Sequence, residues 1–171
     1  MKIALSQVPP EGLQVSYAAG PELFADAGDG VVAQGSVPVA ARVDTEGSGL
    51  RVKGSAEAVL ELPCARCLNV FPAAFITRFD VLFTPIALDV DADEIELGER
   101  DMAVCHLEGD VVDLDGLVRE QVLLELPMAP LCDEGCRGLC PRCGADLNLG
   151  ECGCPPQGDP RLAALKKLLE G

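Results

Sequence analysis

Six cysteines fall within the twenty-three residues from Cys132 to Cys154, at Cys132, Cys136, Cys140, Cys143, Cys152 and Cys154, and an earlier pair stands at Cys64 and Cys67. Thiols at this density are a ligand set. Zn2+ takes a tetrahedron of sulfurs, and a two-residue gap lets both thiolates of a tight turn reach one ion while backbone N–H groups point at them. Cys140-Pro141-Arg142-Cys143-Gly144 has that form, with Gly144 where the turn needs positive φ. Disulfides are the competing chemistry and need an oxidising compartment. The first ten residues carry one positive charge and too short an apolar run for a signal peptide, and no stretch reaches the roughly 18 apolar residues of a membrane span. This predicts a cytoplasmic, reduced protein. The nine cysteines are also an odd number, so a full disulfide framework leaves one thiol over. The predicted cofactor is therefore Zn2+.

Eight cysteines enter the ligand count once Cys105 is set aside as a lone thiol buried in a strand. They form the pairs 64/67, 132/136, 140/143 and 152/154. Two tetrahedra use all eight: Cys140, Cys143, Cys152 and Cys154 on one ion, and Cys64 and Cys67 joining Cys132 and Cys136 on another. The second site would staple the cysteine-rich tail to the rest of the chain. A single site built from the C-terminal cysteines alone stays open as the alternative.

The elements that must position these thiols are mostly strands. Val31 to Val43 alternates small apolar residues with polar or glycine positions, and Leu50 to Leu62 repeats the pattern. Phe75, Thr77, Phe79, Val81 and Phe83 give a further β-favouring, period-two face. Strand 50–62, a connection from Pro63 to Pro72 and strand 73–84 read as a hairpin with Cys64 and Cys67 in its loop. Leu88 to Asp101 is an acidic, solvated loop, and Met102 to Leu107 is another strand. Asp113 or Asp115 caps a helix whose Leu114, Leu117, Val118, Val122 and Leu126 share one side and which Pro127 ends. Asp159-Pro160 opens a terminal helix with an apolar face of Leu162, Leu165, Leu168 and Leu169. The expected fold is α+β: an antiparallel, β-rich domain with one packed helix over residues 1–126, then a cysteine-rich zinc module and terminal helix over 127–171.

Charge narrows the partners. Asp and Glu outnumber Lys and Arg 28 to 13, a net charge of −15, and each four-thiolate zinc site adds two more negative charges. Such a surface repels phosphate backbones and suits a basic protein partner, although acidity also serves solubility alone. Arg137 and Arg142 lie inside the cysteine block, where a small basic spot can touch RNA locally. A thiol redox reading is weak, because Leu68 to Pro72 runs from the first Cys-x-x-Cys into another strand and not into a helix that would lower the thiol pKa. Cys105 and His106 are adjacent in a strand and point to opposite faces, so they form no nucleophilic pair. No glycine-rich phosphate loop or recognisable catalytic serine occurs, and no catalytic residue or small-molecule substrate is expected.

At Leu126-Pro127-Met128, Cys132, Cys136-Arg137-Gly138-Leu139-Cys140-Pro141, Cys143-Gly144, Leu147-Asn148, Cys152-Gly153-Cys154 and Asp159-Pro160-Arg161, the chain resembles the YceD family of bacterial and plastid proteins, known as large ribosomal RNA subunit accumulation proteins. The earlier Cys64-Ala65-Arg66-Cys67 and the acidic loop ahead of the helix occur in the same order. The resemblance covers roughly residues 50 to 169. It implies a non-enzymatic role in accumulation or maturation of large-subunit ribosomal RNA, with a large-subunit precursor as partner. Joined to the charge argument, it points to recruitment through a basic ribosomal protein, with naked ribosomal RNA binding weakly. The rival classes are a zinc-ribbon adaptor unrelated to ribosomes, a direct RNA-binding module and a thiol redox enzyme.

Overall fold

A computed structural model describes residues 1–28, 30–85, 104–107 and 109–155. The acidic stretch Leu88–Asp101 and the helix expected from Asp159 lie outside the described residues. The described strands are β1 (Lys2–Ala4), β2 (Leu13–Ala19), β3 (Val32–Ala33), β4 (Val37–Glu46), β5 (Gly49–Pro63), β6 (Val70–Thr84), β7 (Val104–His106) and β8 (Val111–Asp113), and helix α1 spans Leu114–Leu124. β2, β4, β5, β6 and β7 lie side by side in that order, with β3 on β5 beyond the end of β4, while β1 and β8 form a separate antiparallel pair.

Alternation sets the register. In β5, Leu50, Val52, Ala56, Ala58, Leu60 and Leu62 are buried, and opposite them stand Phe83, Val81, Thr77, Phe75, Ala73 and Phe71 of β6. A one-residue slip would turn this row to solvent, so burial fixes the pairing. Gly54 interrupts the row because the Phe79 ring lies over it, 2.8 Å from where a Cβ would sit. The buried row of β4, Val37, Val39, Ala41 and Val43, extends the same face. Leu114, Leu117, Val118 and Val122 of α1 join it in one hydrophobic cluster, with Phe24 and Val112 also buried there. Each large aliphatic side chain in such a layer stabilises the fold by about 1.5–3 kcal/mol. Asp113 caps α1 with its carboxylate on the N–H groups of Asp115 and Gly116.

Several expectations change in detail. The single strand expected over 31–43 is broken at Gln34–Ser36, where Gln34 N–H bonds to the Val59 carbonyl at 2.8 Å before β4 takes over. Residues 1–30, for which the sequence suggested no element, supply β1, β2 and the Phe24 plug. β7 adds to β6 in parallel, the one parallel pairing among the described strands. Cys105 is exposed rather than buried: β7 is a three-residue strand that pairs on one side only among the described strands, and its Cys105 lines an open pocket beside Gly116, Leu117 and Glu120 of α1. No helix among the described residues is long and apolar enough to cross a membrane.

Candidate metal centres

The β5–β6 hairpin delivers the first two sulfurs. β5 ends at Pro63 and β6 begins at Val70, so the loop is Cys64 to Asn69, tighter than the expected connection from Pro63 to Pro72. The inward parity of Ala58, Leu60 and Leu62 continues to Cys64, which is fully buried, and Cys67 is buried beside it. Cys64 N–H bonds to the Asn69 carbonyl at 3.0 Å, and Leu68 N–H to the Cys64 carbonyl at 2.9 Å. The tail repeats this turn: Cys140 N–H bonds to the Ala145 carbonyl at 2.8 Å, and Gly144 N–H to the Cys140 carbonyl at 2.9 Å. Gly144 has the expected positive φ, 71°. Leu68 occupies the same position of the first turn with φ 62°, a conformation that costs a bulky side chain on the order of 1–2 kcal/mol.

Cysteine sulfurs gather in two groups, Cys64, Cys67, Cys132 and Cys136 in one and Cys140, Cys143, Cys152 and Cys154 in the other, all within 4.8 Å of one another in each group. This is the two-site partition of the eight thiols, and each group can hold a metal ion. The sulfurs of Cys64 and Cys136 are 3.8 Å apart and those of Cys67 and Cys132 are 3.6 Å apart. A tetrahedron with metal–sulfur bonds of about 2.3 Å has edges of about 3.8 Å, whereas bonded sulfurs sit at about 2.05 Å. The spacing fits four ligands around one ion, and all nine cysteines are free.

Protonation divides each group in the same way. Backbone N–H groups of Cys132 and Cys67 hold the Cys64 thiol down to about 6, while burial and the sulfurs of Cys64 and Cys67 push Cys132 up to about 12. In the second group the backbone N–H groups of Cys143 and Arg142 lower Cys140 to about 6, and side-chain bonds to Cys143 and Cys152 raise Cys154 to about 12. Four thiolates this close repel one another, so the last proton resists removal until a divalent cation offsets the charge.

Sequence reasoning found the sulfurs and missed what holds the tail against the hairpin. Ala65 N–H donates to the Pro130 carbonyl at 2.7 Å, and Leu139 N–H to the Arg66 carbonyl at 3.1 Å. Arg66, between the two cysteines of the hairpin loop, donates through Nη1 to the carbonyls of Cys136 at 2.9 Å and Glu134 at 3.2 Å. Gly138 has φ 72°, and a Cβ there would lie 2.9 Å from the Arg66 carbonyl oxygen, so this position excludes side chains. Asn69 Nδ2 donates to Asp146 Oδ2 at 2.9 Å. The readable signal was Asp146-Leu147-Asn148, an Asx residue two places before another, which favours a local turn. Arg137 lies 4.0 Å from Glu151, and Cys105 and His106 are exposed beside Glu120, with no part in either sulfur group.

Fold and sites together define an α+β protein, strand-rich with one helix, whose hairpin tip and tail carry two four-cysteine clusters competent for metal. Residues 52–169 match the family model described as "Large ribosomal RNA subunit accumulation protein YceD". The chain belongs to the YceD family. It is 29% identical over 167 residues to the chloroplastic large ribosomal RNA subunit accumulation protein YCED homolog 1 of Zea mays, covering 83% of this chain and 57% of that protein. It is 34% identical over 128 residues to the uncharacterized protein Rv2926c of Mycobacterium tuberculosis, covering 75% of this chain and 59% of the relative. With the uncharacterized protein YlbN of Bacillus subtilis it shares 31% identity over 137 residues, covering 78% of this chain and 74% of YlbN. The chain thus spans less than two thirds of the length of the first two relatives. No solved structure matches.

Proposed function

We propose that this protein is a non-enzymatic factor that supports accumulation of large-subunit ribosomal RNA during ribosome assembly, with two structural Zn2+ ions in its cysteine clusters. The observation that carries the reading is the family match over residues 52–169, a span that contains all eight clustered cysteines. Zinc suits the site because both donor sets are four thiolates, leaving no open coordination position for a reacting water. Cys64, Cys67, Cys132 and Cys136 hold one ion and Cys140, Cys143, Cys152 and Cys154 the other. In this reading residues 1–126 form the β-rich domain and residues 127–171 carry the zinc module, with the first ion joining them. The reduced cytoplasm is the compartment in which such thiolates persist.

The partner is a large-subunit precursor, reached through a basic ribosomal protein. A net charge of −15 attracts such a protein and opposes direct contact with RNA phosphates. Two experiments test the proposal together. Deleting the gene should lower the ratio of large- to small-subunit ribosomal RNA and accumulate precursor particles, most visibly in the cold. Purified protein should bind ribosomal proteins in a salt-dependent way and naked ribosomal RNA weakly at the same ionic strength, because exposed charge attraction is screened over about 10 Å at 0.1 M salt. Normal subunit profiles in the deletion strain at every temperature would overturn the ribosomal role; tight binding to naked RNA would overturn the recruitment route alone.

A further inference from the structure

Asn148 belongs by sequence to the second cysteine group, between Cys143 and Cys152, yet its side chain reaches the first. Its Nδ2 lies 3.4 Å from the Cys136 sulfur and 2.7 Å from Asp146 Oδ1, and its Oδ1 accepts the Arg137 N–H at 2.7 Å. The backbone donor at Arg137 fixes which way round the amide sits: only the oxygen can face an N–H, so the nitrogen faces two acceptors, a carboxylate and a sulfur. Asp146 in turn accepts from Asn148 N–H at 2.9 Å and from Asn69 of the hairpin loop. Leu147 N–H reaches the Gly138 carbonyl at 2.9 Å, and Leu139 bridges to Asp146. The loop that the second group closes is therefore sewn directly onto a ligand of the first.

We infer that Asn148 is a positioning residue for the first metal centre and that, through it, metal loading of the second centre strengthens metal retention at the first. This rests on the metal-binding reading of the two clusters. An amide N–H aimed at a thiolate draws off part of its charge, which holds the sulfur in a ligating orientation. The donor is in place only while residues 144–150 are folded, and the second cluster closes that segment from both sides, through Cys143 and Cys152. With the second centre empty, the loop pays its ordering entropy unaided and Asn148 is no longer presented to Cys136. The coupling thus runs from local loop order to the hydrogen bond, and from the hydrogen bond to the first ion.

The test follows metal release from the full chain loaded with Zn2+, timed by a colorimetric chelator, beside the thiolate-to-metal charge-transfer bands of the Co2+-loaded protein. Asn148→Asp keeps the oxygen that accepts from Arg137 but replaces the donor with a second oxygen, which sets a carboxylate against the sulfur. Asn148→Ala removes all three side-chain contacts, to Cys136, Asp146 and Arg137. Release from the first centre should accelerate about 10- to 100-fold in both variants, the range typical for loss of an outer-sphere partner, with its Co2+ bands shifted and the second centre's release unchanged. Replacing Cys152 and Cys154 with serine should accelerate release from the first centre similarly, and adding Asn148→Asp to that variant should change little further. Two stably bound ions whose release is unchanged by Asn148→Asp would overturn the coupling and leave the metal reading standing. A wild-type chain that holds no metal would overturn both.

Discussion

The β body and the cysteine tip are stabilised by different physics. In the body, two dozen buried apolar residues from β1 to α1 form one continuous cluster, and removing any one leaves most of the apolar area buried. At the tip the corresponding cluster is Cys64, Cys67 and Cys136 with Phe71, Leu131 and Leu139 partly packed against it, far too little apolar surface to offset the entropy of ordering residues 130–155. Sulfur spacing and a few backbone hydrogen bonds replace hydrocarbon there. The body should therefore respond to cavities and caps, and the tip to metal. The two knuckles sharpen the contrast, because the same turn is closed once with Gly144 and once with a strained Leu68 in the loop that joins β5 to β6.

The largest effect expected is on stripping metal. A strong chelator under reducing conditions should abolish amide exchange protection from about residue 130 to 155 while the β4–β5–β6 amides stay protected, since structural zinc supplies roughly 10–16 kcal/mol in small metal-folded modules. Loss of protection across both regions at once would make them a single cooperative unit. A cavity in the body is the converse. Leu60→Ala, at a fully buried position opposite Ala73, should cost about 2–5 kcal/mol in denaturant unfolding and leave metal content unchanged.

Smaller effects should stay inside the body. Asp113→Ala removes the side-chain cap on α1 and should cost about 1 kcal/mol, measured as a shift in the urea midpoint without loss of metal. Acid gives the smallest term. Burial pushes the Asp115 carboxyl up, but its bonds to the Met1 ammonium and the Tyr17 hydroxyl outweigh that and hold it below the usual carboxylate range. A carboxyl with a depressed folded pKa stabilises the protein above its unfolded value near pH 4 and loses that contribution as pH falls through the folded one. Asp115→Asn should thus lower stability at neutral pH and flatten the acid limb of a stability–pH curve.

Legibility follows the same division. Period-two alternation gave β5 and β6 within a few residues, because one face of each is buried and the other is wet; the apolar side of α1 and a cap at Asp113 or Asp115 were readable for similar local reasons, and the structure places the cap at Asp113. Spacing and count offered the two-group sulfur partition but left a single C-terminal site open, because the approach of Cys64 and Cys67 to Cys132 and Cys136 is a tertiary contact. What stayed hidden depends on tertiary contact. The break at Gln34–Ser36 arises where β3 hands over to β4 along the edge of β5. Cys105 is exposed on β7, a short strand in parallel pairing, which no local pattern announces. Arg66 and Gly138 act through partners up to 73 positions away, the Leu139 N–H on the Arg66 carbonyl, Asn148 acts through Arg137 and Cys136, and polar side chains carry no periodic signal that would reveal such partners.

Metal content tests the central claim, two four-cysteine centres of which one fastens the tail to the β hairpin. Freshly purified, reduced protein should carry about two zinc ions per chain, one per tetrathiolate. The Cys64→Ser, Cys67→Ser variant should carry about one, with exchange protection lost between residues 130 and 137 while Cys140 to Cys154 keep theirs. Unchanged zinc content in that variant, or a wild-type chain with its sulfurs paired as disulfides and no metal, would contradict the account.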